Sequence, residues 1–248
     1  MSVIYIMWLR QLKRYLRSKS RIIGSLGQPL LFLLSLGYGF GAVFQKAGEG
    51  NYIQFLAPGV IGMGIIFTSI FSGIEIIWDR QFGFLKETLV APVSRLNIII
   101  GRTLGGATVA TIQGLIVFVL SIVMGFRPTS LHYLPLIIIV MILISLLFTA
   151  LGTAIASTLE DMQGFQLIMN FLVMPLFFFS GALFPLEGLP VALGVVTKIN
   201  PLTYGIDVLR GLLVNLNHFP IMMDIGILAV CTLLFLLIGT YLFSKIQI

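Results

Sequence analysis

The chain of 248 residues predicts an all-α integral membrane protein. The expected architecture is six transmembrane helices with an N-terminal interfacial helix, a charged helix after the second span and a short re-entrant helix pair before the last. Three observations predict it. The composition is 58% hydrophobic and 10% charged, with mean hydropathy +1.08, against roughly 25% charged residues in soluble domains. Apolar windows of about 17 to 25 residues, the length of a spanning helix, recur along the chain. Lys and Arg collect in alternate connections, as the positive-inside rule requires. The whole chain, 1–248, reads as a single membrane domain, with no room for a soluble catalytic domain.

Residues 1–21 come first. Tyr5, Trp8, Leu9, Leu12 and Leu16 line one side of a helix, while Arg10, Arg14, Arg17 and Ser18 line the other. That pattern predicts a helix lying in the cytoplasmic headgroup layer. The apolar block that follows is longer than a signal-peptide core and lacks a small-residue cleavage site, so a signal peptide is not expected. Spans one to five fall within 22–184, in windows Ile22–Phe44, Ile53–Trp78, Ile98–Phe126, Leu134–Thr158 and Phe165–Phe184. The last span, Ile221–Phe243, and a short tail make up 221–248. Basic residues before the first span, and Arg80, Lys86, Arg95 and Arg102 around the loop after the second, put both regions and both termini in the cytoplasm. The net charge of +6 is thereby explained by topology and anionic lipid, without nucleic acid.

Between the second and third spans lies WDRQFGFLKETLVAPVSR, Trp78 to Arg95. On a helix, Phe82, Leu85 and Leu89 share one face and Arg80, Glu87 and Thr88 the other, with Phe84 projecting from the polar side. Pro92 ends the segment. An aromatic ringed by charge points to a docking contact for a cytosolic partner; an ordinary interfacial helix is the simpler alternative.

From 185 to 220 the chain is apolar but broken by Pro185, Pro190 and Pro201, and it carries Glu187, Lys198, Asp207 and Arg210. A piece such as Leu189–Thr197 reaches only about 14 Å as a helix, against a hydrocarbon core of about 30 Å. Two short helices dipping in from outside are expected, with Asp207 and Arg210 paired on the second.

Several absences sort the function classes. The chain contains no G-x-x-x-x-G-K-[ST], so ATP, if it drives transport, is bound by another polypeptide. Cys231 is solitary, and His132 and His218 lie far apart, so metal or thiol chemistry has no support. No charge is expected at mid-depth: Glu75 lies near its span end within reach of Arg80, Arg102 near its own, and the deep polar groups are neutral, Gln113 and Asn170 among them. That argues against ion coupling. Gly37 and Gly41 give the first span a small-residue face for packing against a second copy, and Gly101 with Gly105 forms another such pair.

The chain resembles the transmembrane subunits of ABC-2 type exporters, the class with drug-resistance, nodulation-factor and polysaccharide export permeases. The likeness rests on FLAPGVIGMG, on LKETLVAPVSRLNIIIGRTLGG, and on FFFSGALFPLEGLPVALGVVTKINPLTYGIDVLRGLL, whose SG, FP, LP, NPLTY and D-x-x-R elements keep order and spacing. It implies that Gln81–Ala91 is a coupling helix docking in a separate ABC ATPase subunit, with Arg80, Phe84, Leu85 and Glu87 as contacts. It also implies two permease copies, identical or related, with the first and fifth spans meeting their counterparts. ATP and Mg would belong to the partner, and this chain would carry no cofactor and no catalytic residue. The short TLEDMQG connector, Thr158–Gly164, departs from the pattern where a second docking contact would lie. The cargo expected is a hydrophobic drug, a lipid or a glycoconjugate. A secondary carrier or channel without an ATPase, and a structural membrane protein, are the readings from other classes.

Overall fold

Among the described residues of the computed structural model (2–41, 51–90, 92–188 and 190–246) every regular element is helical. Helix α1 (Val3–Arg17) is followed by α2 (Lys19–Phe32), which runs on into a π-helical stretch, Leu33–Tyr38. Then come α3 (Tyr52–Phe71), α4 (Ile74–Gln81), α5 (Phe84–Val90) and α6 (Arg95–Val123). The chain continues with α7 (Leu134–Thr158), α8 (Met162–Phe178), α9 (Val191–Ile199), α10 (Pro201–Val214) and α11 (Ile221–Ser244).

Six helical runs pass back and forth between two ends of a bundle: α2 with its π extension, α3 with α4, α6, α7, α8 and α11. Contacts fix the two ends. At one, Arg21 reaches Glu75 and Arg95 reaches the Ser244 carbonyl; at the other, the Tyr38 hydroxyl meets the Met124 carbonyl and the Thr129 N–H meets Leu213. Among the described residues four stretches, Tyr52–Gln81, Arg95–Val123, Leu134–Thr158 and Ile221–Ser244, are long and apolar enough to cross a bilayer. Helix α8, expected to reach Phe184, stops at Phe178, because the backbone turns through Gly181 at φ +71°. Residues 42–44, the expected tail of the first span, lie outside the described residues.

Helix α3 is central, apolar on nearly every side and packed by α6, α7 and α10, as a helix buried all round should be. Helix α11 is the opposite case. It buries one stripe, Asp224, Leu228 and Thr232, against α7 and α10 and exposes Val230, Leu233 and Leu237. Helices α2 and α8 also present apolar residues outward, among them Ile23, Leu31, Leu167 and Phe171.

The seating of α1 departs from the hydropathy pattern. Its buried line is Met7, Gln11 and Tyr15, while Tyr5 and Leu16 are exposed. The cause is a groove on α6. A Cβ at Gly101 would stand 2.7 Å from both the Ile4 carbonyl oxygen and Met7 Cβ, and one at Gly105 would stand 2.6 Å from Gln11 Cβ. Backbone proximity therefore selects the face, and the Gln11 stem lies over Gly105. The Gly101–Gly105 pair serves a contact inside the chain.

Gly37 requires a correction of the same kind. It is buried, and a Cβ there would stand 3.1 Å from Ile53 Cγ1, so its bare face is filled by α3 of the same chain and is closed to a second copy. Gly41 has open space around its Cβ position.

Replacing Gly101 by Leu should unseat α1. Overpacking of this kind costs about 1–3 kcal/mol, read as earlier proteolysis within α1 and a lower unfolding temperature in detergent than for a Gly41→Leu control.

Candidate functional site

Two polar assemblies occupy opposite ends of the bundle, roughly 40 Å apart along α3 and α4 at the helical rise. The first joins α1 to α4. Asp79 is gripped by Arg10 through two hydrogen bonds of 3.0 and 2.8 Å, and it also pairs with the buried Arg102 from α6. One turn earlier, Glu75 pairs with Arg21 at 2.7 Å and Arg14 at 3.7 Å. Glu75 therefore does not meet Arg80. The pairs Arg10–Asp79 and Arg14–Glu75 form an antiparallel ladder with a spacing of four on both helices, the spacing that stacks side chains on one helical face. Beside it, the buried Tyr15 hydroxyl donates to Gln113 Oε1 at 2.7 Å. Burial raises the Tyr15 phenol above its ordinary pKa, opposed by the Arg21 charge.

The charged segment attaches here, and it is not one helix. Helix α4 ends at Gln81, Phe82 caps it, and Gly83 at φ +78° turns the chain before α5 starts at Phe84. That left-handed conformation is one that only glycine adopts readily. The turn separates the face of Phe82 from that of α5. Phe82, expected beside Leu85 on the apolar face, is 80% exposed, while Leu85 is 1% exposed and held in the core. Phe84 stays partly exposed with the Arg10 guanidinium 3.9 Å from its ring centroid, a cation–π contact. Glu87 and Val90 face outward, and Ala91, the expected end of the helix, lies outside the described residues.

Arg80 is also committed within the chain. It donates to the carbonyls of Leu159 (2.8 Å) and Ser157 (3.3 Å), and Gln81 Nε2 donates to Glu160 at 3.3 Å. The short connector between α7 and α8 is thus fastened to the end of α4. Of the four residues expected to touch a partner, Phe84 and Glu87 are exposed, whereas Leu85 is buried and Arg80 is bonded to the connector. A cavity of about 1080 Å³ opens beside this surface, bordered by Lys13, Arg17, Lys19, Trp78, Phe82 and Phe84.

At the other end, the segments that carried the sequence resemblance converge. Asn200 caps α10 by accepting the Leu202 N–H, and its amide donates to the Leu176 carbonyl at 2.6 Å; Pro201 occupies the first turn, where its missing N–H costs nothing. Pro190 stands at the N-cap position just before α9, and Pro185 borders a cavity of about 420 Å³. Helix α9 is largely exposed, whereas α10 is buried among α3, α7 and α11. The expected Asp207–Arg210 pair does not form. Asp207 instead accepts the N–H groups of His218 (2.9 Å to each oxygen) and Phe219 (2.8 Å), tying down the loop after α10. Arg210 turns to the Gly181 carbonyl at 2.9 Å and lies 4.0 Å over the Phe55 ring. Backbone partners won because both side chains are buried beside chain turns whose N–H and C=O groups lack helical partners.

Residues 2–214 match the ABC-2 type transporter family. The chain belongs to that family. Similar proteins include a transport permease ycf38 of Cyanophora paradoxa, 31% identical over 91% of this chain and 82% of that one. Nodulation protein J of Rhizobium leguminosarum bv. viciae is 26% identical over 90% and 86% of the two chains. The inner membrane transport permease YadH of Escherichia coli K12 is 25% identical over 93% and 90%. In this ABC-2 permease the family segments therefore map onto two places: the α4–α5 end, and the α10 end where FLAPG, SGALFP, NPLTY and D-x-x-R meet.

Sequence reasoning missed Asp79 and Arg10 as structural charges and Asp224 as a buried polar group. The signal was present for the first two, in the matching four-residue spacing of Arg10 and Arg14 with Glu75 and Asp79. Substituting Asp79 by Leu leaves Arg102 buried without its partner, which should cost about 3–5 kcal/mol. Thermal unfolding should show that loss, and the double variant D79L/R102L should recover much of it.

Proposed function

We propose that the permease is the membrane-embedded subunit of an ATP-driven exporter whose energy comes from ATP and Mg held by a separate ABC ATPase subunit. The observation that carries this reading is the Phe82–Val90 surface. It presents two aromatic rings and Glu87 outward, yet it is braced from behind by Arg10, Asp79 and Arg80. An outward hot spot on a rigid base is what a docking contact needs. A push on α5 is delivered to α1, α4, α6 and the α7–α8 connector together.

In this reading all six helical runs cross the bilayer of the cytoplasmic membrane. The α1 end is cytoplasmic, because Arg10, Lys13, Arg14, Arg17, Lys19, Arg21, Arg80, Lys86, Arg95 and Arg102 belong to it. Helices α9 and α10 then lie on the outer side, with α10 as the inserted member of the pair. A second permease, the same chain or a related one, covers the apolar faces of α2 and α8. The cargo class is hydrophobic or amphipathic, a drug, lipid or glycoconjugate. The mid-depth stretches of the six runs contain no Asp, Glu, Lys or Arg, which favours an external energy source over an ion-coupled carrier.

Two measurements test this. The double variant F82A/F84A should lose about 2 kcal/mol of ATPase binding, roughly 30-fold in retention on copurification, with Glu87→Ala losing less. Retention equal to wild type would reject docking at this surface. For orientation, a cysteine replacing Glu187 should react with an impermeant thiol reagent added outside, and one replacing Lys86 should not; the reverse pattern would invert the topology.

A further inference from the structure

Within the α10 end, two carboxyl groups are buried against each other. Asp207 is 2% exposed and Asp224, on the first turn of α11, is 0% exposed. Helices α10 and α11 pack on each other, and the loop whose Phe219 N–H Asp207 accepts leads within five residues to Asp224, so the two side chains lie side by side. The two environments differ sharply. Asp207 accepts three hydrogen bonds from the backbone N–H groups of His218 and Phe219, which favours its charged form. Neither oxygen of Asp224 receives a donor from any described residue.

Arg210, one turn along α10, interacts electrostatically with Asp207 and further favours its charged form, while its guanidinium donates to the Gly181 carbonyl and lies over Phe55. Among the described residues no cation acts on Asp224 in the same way. The Tyr204 hydroxyl donates to the Lys198 carbonyl, and the His218 ring lies against Phe219. Helix α7, on which α11 packs, has no ionisable residue between Leu134 and Thr158. Cys231 lies two turns further along α11, and Glu187 borders the cavity on the far side of Asp207. Two adjacent carboxylates in such a place repel, and a buried charge without a donor is among the costliest groups in a protein.

We propose that Asp224 is carried as the neutral acid and donates its O–H to the Asp207 carboxylate, so that a single proton fastens the inserted helix α10 to the last span. The proton completes a chain from loop backbone to Asp207 to Asp224. Its release, to water in the cavity of about 420 Å³ that Asp207 lines, leaves two negative groups in contact and drives α10 and α11 apart. Opening at this end is thereby linked to proton release. This inference does not rest on the exporter reading, since it concerns the two carboxyl groups alone.

Infrared spectroscopy of the permease in lipid nanodiscs reads the proton directly. At neutral pH the wild type should show a carboxylic-acid C=O band that shifts in heavy water and is lost in D224N, where the amide keeps the shape and a donor toward Asp207. D207N should shift the band without removing it, which keeps the test intact if D224N fails to fold. On raising the pH, hydrogen exchange at His218 and Phe219 should become faster in wild type than in D224N at the same pH. A wild-type spectrum with no band assignable to Asp224 would overturn the shared proton. Equal exchange in the two proteins across the pH range would overturn the fastening.

Discussion

Asp79 is the group on which one end of this permease depends. It accepts from Arg10 on α1 and Arg102 on α6 while belonging to α4, so three helices far apart in sequence are fixed by one carboxylate. Arg102 contributes a full charge at a buried position, and Asp79 is its anionic partner in contact among the described residues. Arg10 also lies over the Phe84 ring in a cation–π contact, which brings α5 into the same assembly. The geometry of the exposed surface is thus a consequence of ion pairing behind it.

Much of the architecture was legible in the sequence because hydropathy reports burial in a membrane directly. The windows Leu134–Thr158 and Ile221–Phe243 match α7 and α11 closely, and the broken stretch after α8 resolves into two short helices set by Asn200 and Pro201. What hydropathy could not report was backbone proximity. The side of α1 that packs is chosen by the absence of side chains at Gly101 and Gly105, and the commitment of Gly37 to Ile53 follows from the same geometry. Helical-face arithmetic held for Leu85 and Leu89, which face the core, and failed at Phe82 for a local reason. It assumes a continuous helix, and Gly83 at φ +78° interrupts one, leaving Phe82 turned out.

The polar residues were legible as a set but not as pairs. Asp207 and Arg210 stand three apart, which predicts a helical ion pair, yet each finds backbone groups at a nearby turn. Burial explains the outcome: at a solvated helix surface the side-chain pair would compete well, whereas inside the protein an unpaired N–H or carbonyl is too costly to leave. Asp224 was hidden for a related reason. It opens an apolar window and, by composition, reads as a span boundary, whereas the i, i+4 stripe with Leu228 and Thr232 marks it as inward.

The grip of Arg80 on the Leu159 and Ser157 carbonyls has a consequence for how such permeases diversify. Because the bonds go to backbone, they tolerate any side chains in the connector but not a change in its length. Residues 157–160 form a template of fixed size for the end of α4. At 157–160 the side chains are therefore free to drift while the register is not, whereas Asp161 is held by its own role as the cap of α8, and a chimaera exchanging the α4–α5 segment between relatives keeps its brace when the recipient's α7–α8 turn has the same number of residues.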